Sequence, residues 1–197
     1  EQQAFRDLAR DFSRQEIAPI AAECDEREEF PIPVLERAHR AGLLNLEVPE
    51  EYGGAGLGSL DICLIAEEMG AACAGIATSL MGNGLALLPI ILHGSGEQRA
   101  RFLAPFCAQP RLAAFCLTEP GAGSDLTAVS TTGQQGAGEY VLDGVKTFMT
   151  NGGLTSLYLV IATTDRKRGA RGLSAFVVPA GLPGLSIGKK ERKLGQR

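Results

Sequence analysis

The stretch CLTEPGAGSDLTA, residues 116 to 128, runs from a hydrophobic lead-in through Thr-Glu-Pro, two glycines bracketing an alanine, and Ser-Asp. Small and hydrogen-bonding residues concentrated this way let the backbone pass close to another surface, because glycine has no Cβ to hold that surface away. Taken by itself, GAGS reads as a turn between strands. It is not the G-x-G-x-x-G loop that binds dinucleotides, because no helical pattern follows it. The stretch lies just beyond a change of periodicity near residue 110, and that change sets the fold class.

Before residue 110 the pattern is helical. Phe5, Leu8 and Phe12 recur as one helix face. FPIPVLERAHRAGLL opens a second helix, with Pro33 in its first turn and Gly42 near its end. SLDICLIAEEMGAA predicts a third helix with Ser59 as its N-cap, after the glycine-rich connector PEEYGGAGLGS. GIATSLMGNGLALLPIILHGS is apolar nearly all round, which predicts a buried helix over 76–92, and GEQRARFLAPFCAQ is amphipathic. After Arg111, RLAAFCLT, EYVLDGVKTFMT, SLYLVIATT, LSAFVVPA and GLSIGK read as short strands, with hairpin turns at GAGEY and LDGVK. The fold class is α+β, with a helical domain over 1–110 and a β domain over 111–197.

Composition narrows the function. Of 197 residues, 45% are hydrophobic and 21% charged, the balance of an ordinary globular chain. The longest apolar run, LALLPIIL, falls well short of the ~20 residues that span a bilayer, and no signal peptide is read at the start. The five cysteines form no C-x-x-C pair and read as free thiols in a reducing compartment. With only His39 and His93 present, a zinc site or a histidine-based triad is not expected. Residues 1–110 hold 8 basic and 17 acidic side chains, a charge of −9, and residues 111–197 hold 11 and 6, a charge of +5. The basic half is suited to face an anionic ligand. It shows no interleaving of aromatic and basic residues, so nucleic acid is not an expected partner.

Position for position, CLTEPGAGSDLTA resembles the first signature of the acyl-CoA dehydrogenase family. LDGVKTFMTNGG (142–153), VPEEYGGAGLG (48–58) and KLGQR (193–197) resemble further segments of that family in the same order. The likeness covers essentially the whole chain and is nearest to the medium-chain type. It implies a β-barrel-like middle domain after the helical one, with the family's C-terminal helical domain absent from this chain, since KLGQR breaks off inside a recognisable segment.

The resemblance implies FAD as cofactor and α,β-dehydrogenation of an acyl-CoA to a trans-2-enoyl-CoA. Flavin-binding residues would be Phe115, Cys116, Leu117, Thr118, Gly123, Ser124, Phe148, Met149 and Thr150. The Thr118 hydroxyl would lie near the pyrimidine edge and Thr150 near N5, where a donor stabilises the charge of the reduced ring. Phe148 departs from the family's usual tryptophan, keeping an aromatic surface but losing area and the indole donor. Ser124 would contact the thioester portion of the substrate. Leu80, Met81 and Leu85 would face the acyl tail, and Arg171, with Arg166, Lys167 and Arg168, the CoA phosphates. Asp125 is expected to brace its loop.

No catalytic residue is assigned. The family's glutamate base lies in its C-terminal domain, and Glu67, Glu68 and Glu119 are not substitutes for it. The remainder would be a continuation of this chain or a second polypeptide, or else this is a short form without catalysis. Implied partners are an electron-transferring flavoprotein and further copies, as a tetramer or dimer, in the bacterial cytoplasm or mitochondrial matrix. A related acyl-CoA or nitroalkane oxidase, or a non-catalytic flavin- or nucleic-acid-binding member of the fold, are the alternatives.

Overall fold

The computed structural model describes residues 2–196. The chain divides into a helical unit, made by the residues up to Leu112 together with the segment from Lys189 onward, and a sheet unit, Ala113–Gly188. In the helical unit, α1 (Gln2–Phe12) buries Ala9 and Phe12 and packs on α4 (Ser59–Ala72). Leu8 is 42% exposed, because the buried stripe runs through Phe5, Ala9 and Phe12, the i, i+4, i+7 spacing, and Leu8 falls one residue off it. A widened turn, Ser13–Ile17, and a tight one, Ala18–Ile20, carry the chain into α2 (Ala21–Arg27).

Helix α3 (Ile32–Arg40) has Pro33 in its first turn, as its sequence predicts. It ends where Gly42 turns left-handed at φ +70°. Gly42 N–H donates to His39 O and Leu43 N–H to Ala38 O, the paired bonds that close a Schellman-type C-terminus. Ser59 is not the N-cap of α4: Gly58 holds that place, and no side chain caps the helix. The cap signal sits instead before α7 (Gly96–Ala108), where Ser95 Oγ accepts from Gln98 N–H at 3.2 Å and Gln98 Oε1 accepts from Ser95 N–H at 2.9 Å.

The buried helix expected over 76–92 is two helices, α5 (Ala74–Met81) and α6 (Asn83–His93), parted at Gly82. Ala74–His93 makes a 20-residue helical stretch, long and apolar enough to cross a membrane by length and composition; an 18-residue window within it has mean hydropathy 1.7, and 39% of that window is buried in the fold. The expectation from LALLPIIL alone thus understated the run. One face packs into the core through Ile76, Ala77, Leu80, Ala86, Leu87 and Ile90, while Leu85, Leu88 and Leu92 are exposed. Asn83 is buried inside this stretch and donates to Asn45 Oδ1 and Arg111 O, both at 2.8 Å, while Asn45 donates to Phe106 O at 2.7 Å. These bonds satisfy buried polar atoms and tie α6 to the end of α7.

The sheet unit is a mixed five-stranded sheet. Its centre is β4 (Leu157–Thr163), whose LYLVIAT run is buried at Leu157, Tyr158, Leu159, Ala162 and Thr163. β5 (Leu173–Pro179) pairs antiparallel along all of it. β1 (Ala113–Cys116) pairs parallel with residues 157–160, and β2 (Thr132–Gln135) joins β4 by a parallel bridge from Thr132 to Thr163. β3 (Tyr140–Asp143) is antiparallel to β2 across the GAGEY turn. LDGVK is not a hairpin, and residues 144–151 form no strand. Thr147 N–H instead bonds to the loop after β1, as described below. GLSIGK is not a strand either. The chain there leaves the sheet unit, and the Lys190 ammonium donates to Glu28 O in the helical unit.

Candidate functional site

Past β1 the chain makes the Thr-Glu-Pro turn, closed by reciprocal backbone bonds between Glu119 and Ala122 at 2.9 and 3.1 Å. The Glu119 side chain turns inward and is 2% exposed, paired with Lys146, which is 8% exposed. Glu119 Oε1 accepts from Lys146 Nζ at 2.7 Å and from Thr131 N–H at 3.0 Å. Oε2 accepts from Ser130 N–H at 2.7 Å and from Ser130 Oγ at 2.6 Å. Burial opposes the charge on Glu119, but the bonds from Lys146, Ser130 and Thr131 outweigh it and hold the carboxyl well below the usual carboxylate range.

Lys146 also donates to Leu117 O at 3.0 Å, and Thr147 N–H donates to Thr118 O at 2.9 Å. The two sequence segments 117–119 and 146–150, both singled out from the sequence, are thereby fastened side by side. Beyond them Met149 packs on Ala114, Cys116 and Tyr158, and Asn151 Nδ2 donates to Ala113 O at 3.4 Å. Phe148 lies between these anchors with φ +55° and is 72% exposed. A left-handed backbone is unfavourable for a bulky side chain, so the anchors on either side must hold it there.

The sequence-predicted residues fall into three groups. Leu117, Thr118, Gly123, Ser124, Phe148, Met149 and Thr150 are brought to the two fastened segments or the turn beside them, with Gly123, Ser124 and Phe148 exposed and the other four part-buried. Among the described residues, the hydroxyls of Thr118, Ser124 and Thr150 have no hydrogen-bond partner in the protein. Phe115 and Cys116 lie in β1, and Cys116 is buried, its thiol pushed up to about 11 by that burial, so it is a neutral, packed group. Leu80, Met81 and Leu85 belong to the helical unit: Leu80 is core, Met81 is half-buried and Leu85 is exposed.

Arg171 is exposed in the turn Arg166–Gly172 between β4 and β5. Asp165 caps that turn by accepting from Lys167 N–H at 3.0 Å, and Arg166 Nη2 donates to Ser130 O at 2.8 Å. Asp125 accepts from Thr127 N–H at 2.9 Å and Thr127 Oγ1 at 2.6 Å, which braces its loop. Sequence reasoning missed the pairing of Glu119 with Lys146. The available signal was a lone lysine in the run VKTFMT and a single acid in CLTEPGAGS.

The sheet unit thus carries a small-residue turn lashed to an aromatic-bearing segment past the end of the parallel β1–β4 pair. The model of the acyl-CoA dehydrogenase N-terminal domain matches residues 1–110, and that of the acyl-CoA dehydrogenase middle domain matches residues 114–197. The chain belongs to the acyl-CoA dehydrogenase family. The short-chain specific acyl-CoA dehydrogenase of Mus musculus is 42% identical over 196 residues, which cover 99% of this chain and 48% of that protein. A probable medium-chain specific acyl-CoA dehydrogenase of Caenorhabditis briggsae is 37% identical over 199 residues, covering 100% and 49%. The structure of an acyl-CoA dehydrogenase complexed with FAD from Bacillus anthracis superposes with a TM-score of 0.90 at 35% identity, covering 100% of this chain and 33% of that one. The chain spans about half the length of the curated relatives it matches.

Proposed function

We propose that this chain supplies the N-terminal helical domain, 1–110, and the middle sheet domain, 111–197, of an FAD-dependent enzyme that dehydrogenates an acyl-CoA thioester to a trans-2-enoyl-CoA. One observation carries the reading: an exposed Phe148 held at positive φ beside Thr118 and Thr150, whose hydroxyls have no protein partner among the described residues. The glycines of the turn fit the same ligand. A Cβ added at Gly121 or Gly123 would meet no protein atom within 4 Å, and neither has a positive φ. Nothing in the fold demands glycine there, so the open space favours close approach by a group from outside.

When bound, FAD supplies a two-electron acceptor for hydride. The chain's part is to bind and orient. Phe115, Cys116, Leu117 and Thr118 would run along the ring, with the Thr118 hydroxyl near its pyrimidine edge. Thr150 would donate near N5, Phe148 and Met149 would cover one face, and Gly123 and Ser124 would lie against ring and thioester. Arg171 would meet the CoA phosphates. Of the acyl-tail candidates in the helical unit, half-buried Met81 and exposed Leu85 are open to a ligand, whereas Leu80 is 1% exposed and serves the core. Proton abstraction would fall to a glutamate outside residues 1–197. Hydrogen bonds from Arg10 and Arg6 hold Glu68 at about 2, and Glu119 is held low by Lys146 and its neighbours. Carboxylates so far below neutral pH are poor bases. Electron-transferring flavoprotein would take the electrons, the assembled enzyme would be a dimer or tetramer, and its compartment the bacterial cytoplasm or the mitochondrial matrix.

The test is retention of flavin. The purified chain is mixed with excess FAD and gel-filtered, and the protein peak is expected to stay yellow, with Phe148→Ala retaining less. A colourless peak at every FAD concentration would count against the reading. Adding an acyl-CoA to the retained complex should leave the flavin colour unbleached, because the base this reading requires lies outside residues 1–197. Rapid bleaching would place a base here.

A further inference from the structure

The Glu119–Lys146 pair is buried on both sides, where a neutral, well-packed pair would serve stability as well or better. Around it sit features that cost stability. Thr131 Oγ1 and Thr147 Oγ1 are buried without a partner, and Phe148, two residues beyond Lys146, has the left-handed φ of +55°. Orphaned hydroxyls and a strained backbone gathered around one ion pair indicate that geometry, more than stability, is being held. The pair fastens three stretches of chain to one another: 117–122, which carries Glu119 and the Leu117 carbonyl, the Ser130–Thr131 backbone, and the segment that carries Lys146.

The consequence for residue 118 is direct. Lys146 holds the Leu117 carbonyl and Thr147 N–H holds the Thr118 carbonyl. A trans peptide is planar, so both planes flanking the Thr118 Cα are fixed, and with them the direction of its side chain. On the other strand of the lashing, Lys146 and Thr147 are pinned immediately before Phe148, and Met149 is packed immediately after it. We infer that Glu119 and Lys146 are positioning residues, an ion-pair latch that sets Thr118 and Phe148 in the one geometry the flavin ring requires. This rests on the flavin reading for its purpose, but the latch itself is observable without flavin.

The experiment uses the full chain as wild type, as Lys146→Met and as the double variant E119Q/K146M, which removes both charges and leaves no buried ion unpaired. Hydrogen exchange is followed at the amides of Thr147, Ala122, Ser130 and Thr131 and, for comparison, along β4. Leu159→Ala is the control that weakens the sheet away from the latch. The latch predicts exchange at least about tenfold faster at those four amides in both charge variants, with β4 protection kept in the double variant. Leu159→Ala should raise exchange throughout the sheet without that selectivity. Titration with FAD is then expected to show an affinity at least about tenfold lower in the double variant, with altered visible circular dichroism of the bound flavin, a signature that lost stability alone does not move.

Unchanged exchange at Thr147 and Ser130, or wild-type FAD affinity and dichroism in the double variant, overturns the inference. Loss of β4 protection in the double variant also overturns it, since the pair would then be a general support of the sheet. If the wild type takes up no FAD, the flavin reading fails by itself, and the exchange data still decide whether the latch holds the two segments.

Discussion

Gly144, Gly121 and Gly123 look alike in the sequence and differ in what surrounds them. At Gly144, φ is +155°, and a Cβ would lie 2.3 Å from Thr131 Oγ1 and 2.7 Å from Thr131 Cα, backbone that cannot swing aside. Gly144→Ala should destabilise the chain by about 1–3 kcal/mol, as overpacking does, measured as a lower urea midpoint. Gly121→Ala and Gly123→Ala should change stability by no more than about 0.5 kcal/mol, because the added methyl meets nothing, yet both should weaken FAD or acyl-CoA binding in a titration. If all three alanines cost stability alike, the distinction between packing and ligand glycines fails. The sequence makes the glycine-rich turn legible but cannot sort its glycines, because the atoms each Cβ would meet come from elsewhere in the fold. The same holds for Lys146 and Glu119, 27 residues apart: residue type gives their charge, and only the tertiary fold gives their partnership.

Among elements, the helices with a buried stripe and clear punctuation were readable from period and caps, as α3 and its Gly42 terminus show. Elements held by partners more than by their own pattern were not. β2 was unforeseen because TGQQ carries no apolar alternation and exists through its pairing with β3. Residues 144–151 alternate like a strand, but Thr147 N–H is committed to Thr118 O, so no ladder forms. Two element-scale predictions follow from what does hold the helices. Ser95→Ala removes the Oγ that accepts from Gln98 N–H while leaving the backbone N–H that donates to Gln98 Oε1, and should cost about 1 kcal/mol, read from denaturant unfolding, with Ser95→Asp largely restoring it. At the α1–α4 contact, Glu68 accepts from Arg10 and Arg6 and its carboxyl is held down at about 2 from 4.5. A depressed carboxyl contributes stability that is complete above its unfolded pKa and is lost as pH falls toward the folded value. The helical unit should therefore loosen between about pH 4.5 and 2, seen as faster exchange of α1 amides. Glu68→Gln should be less stable near neutral pH and should lack that acid-dependent step.

At the scale of the whole chain, two units need not unfold as one, and a single midpoint has no clear meaning unless different probes agree. The chain provides its own probes. It has no tryptophan and three tyrosines. Tyr140 and Tyr158 are in the sheet unit, and Tyr158 is only 4% exposed, its hydroxyl accepting from Gly153 N–H at 3.3 Å. Far-ultraviolet dichroism is dominated by α1 to α7, whereas near-ultraviolet tyrosine dichroism reports chiefly the ordered Tyr158 ring in the sheet. A ligand that binds only the folded chain stabilises it by about 2.7 kcal/mol at a hundred times its dissociation constant. For a chain of this size that corresponds to a rise in melting temperature of roughly 5–10 °C. If the flavin site lies where Thr118, Phe148 and Thr150 are fastened together, saturating FAD should raise the tyrosine-detected transition by that amount. The expected record is therefore two melting curves that respond to FAD, with the tyrosine signal shifting at least as far as the helical one. A helical signal that shifts while the tyrosine signal stays fixed would move the flavin contacts away from the sheet unit, and with them the roles given to Thr118, Phe148 and Thr150.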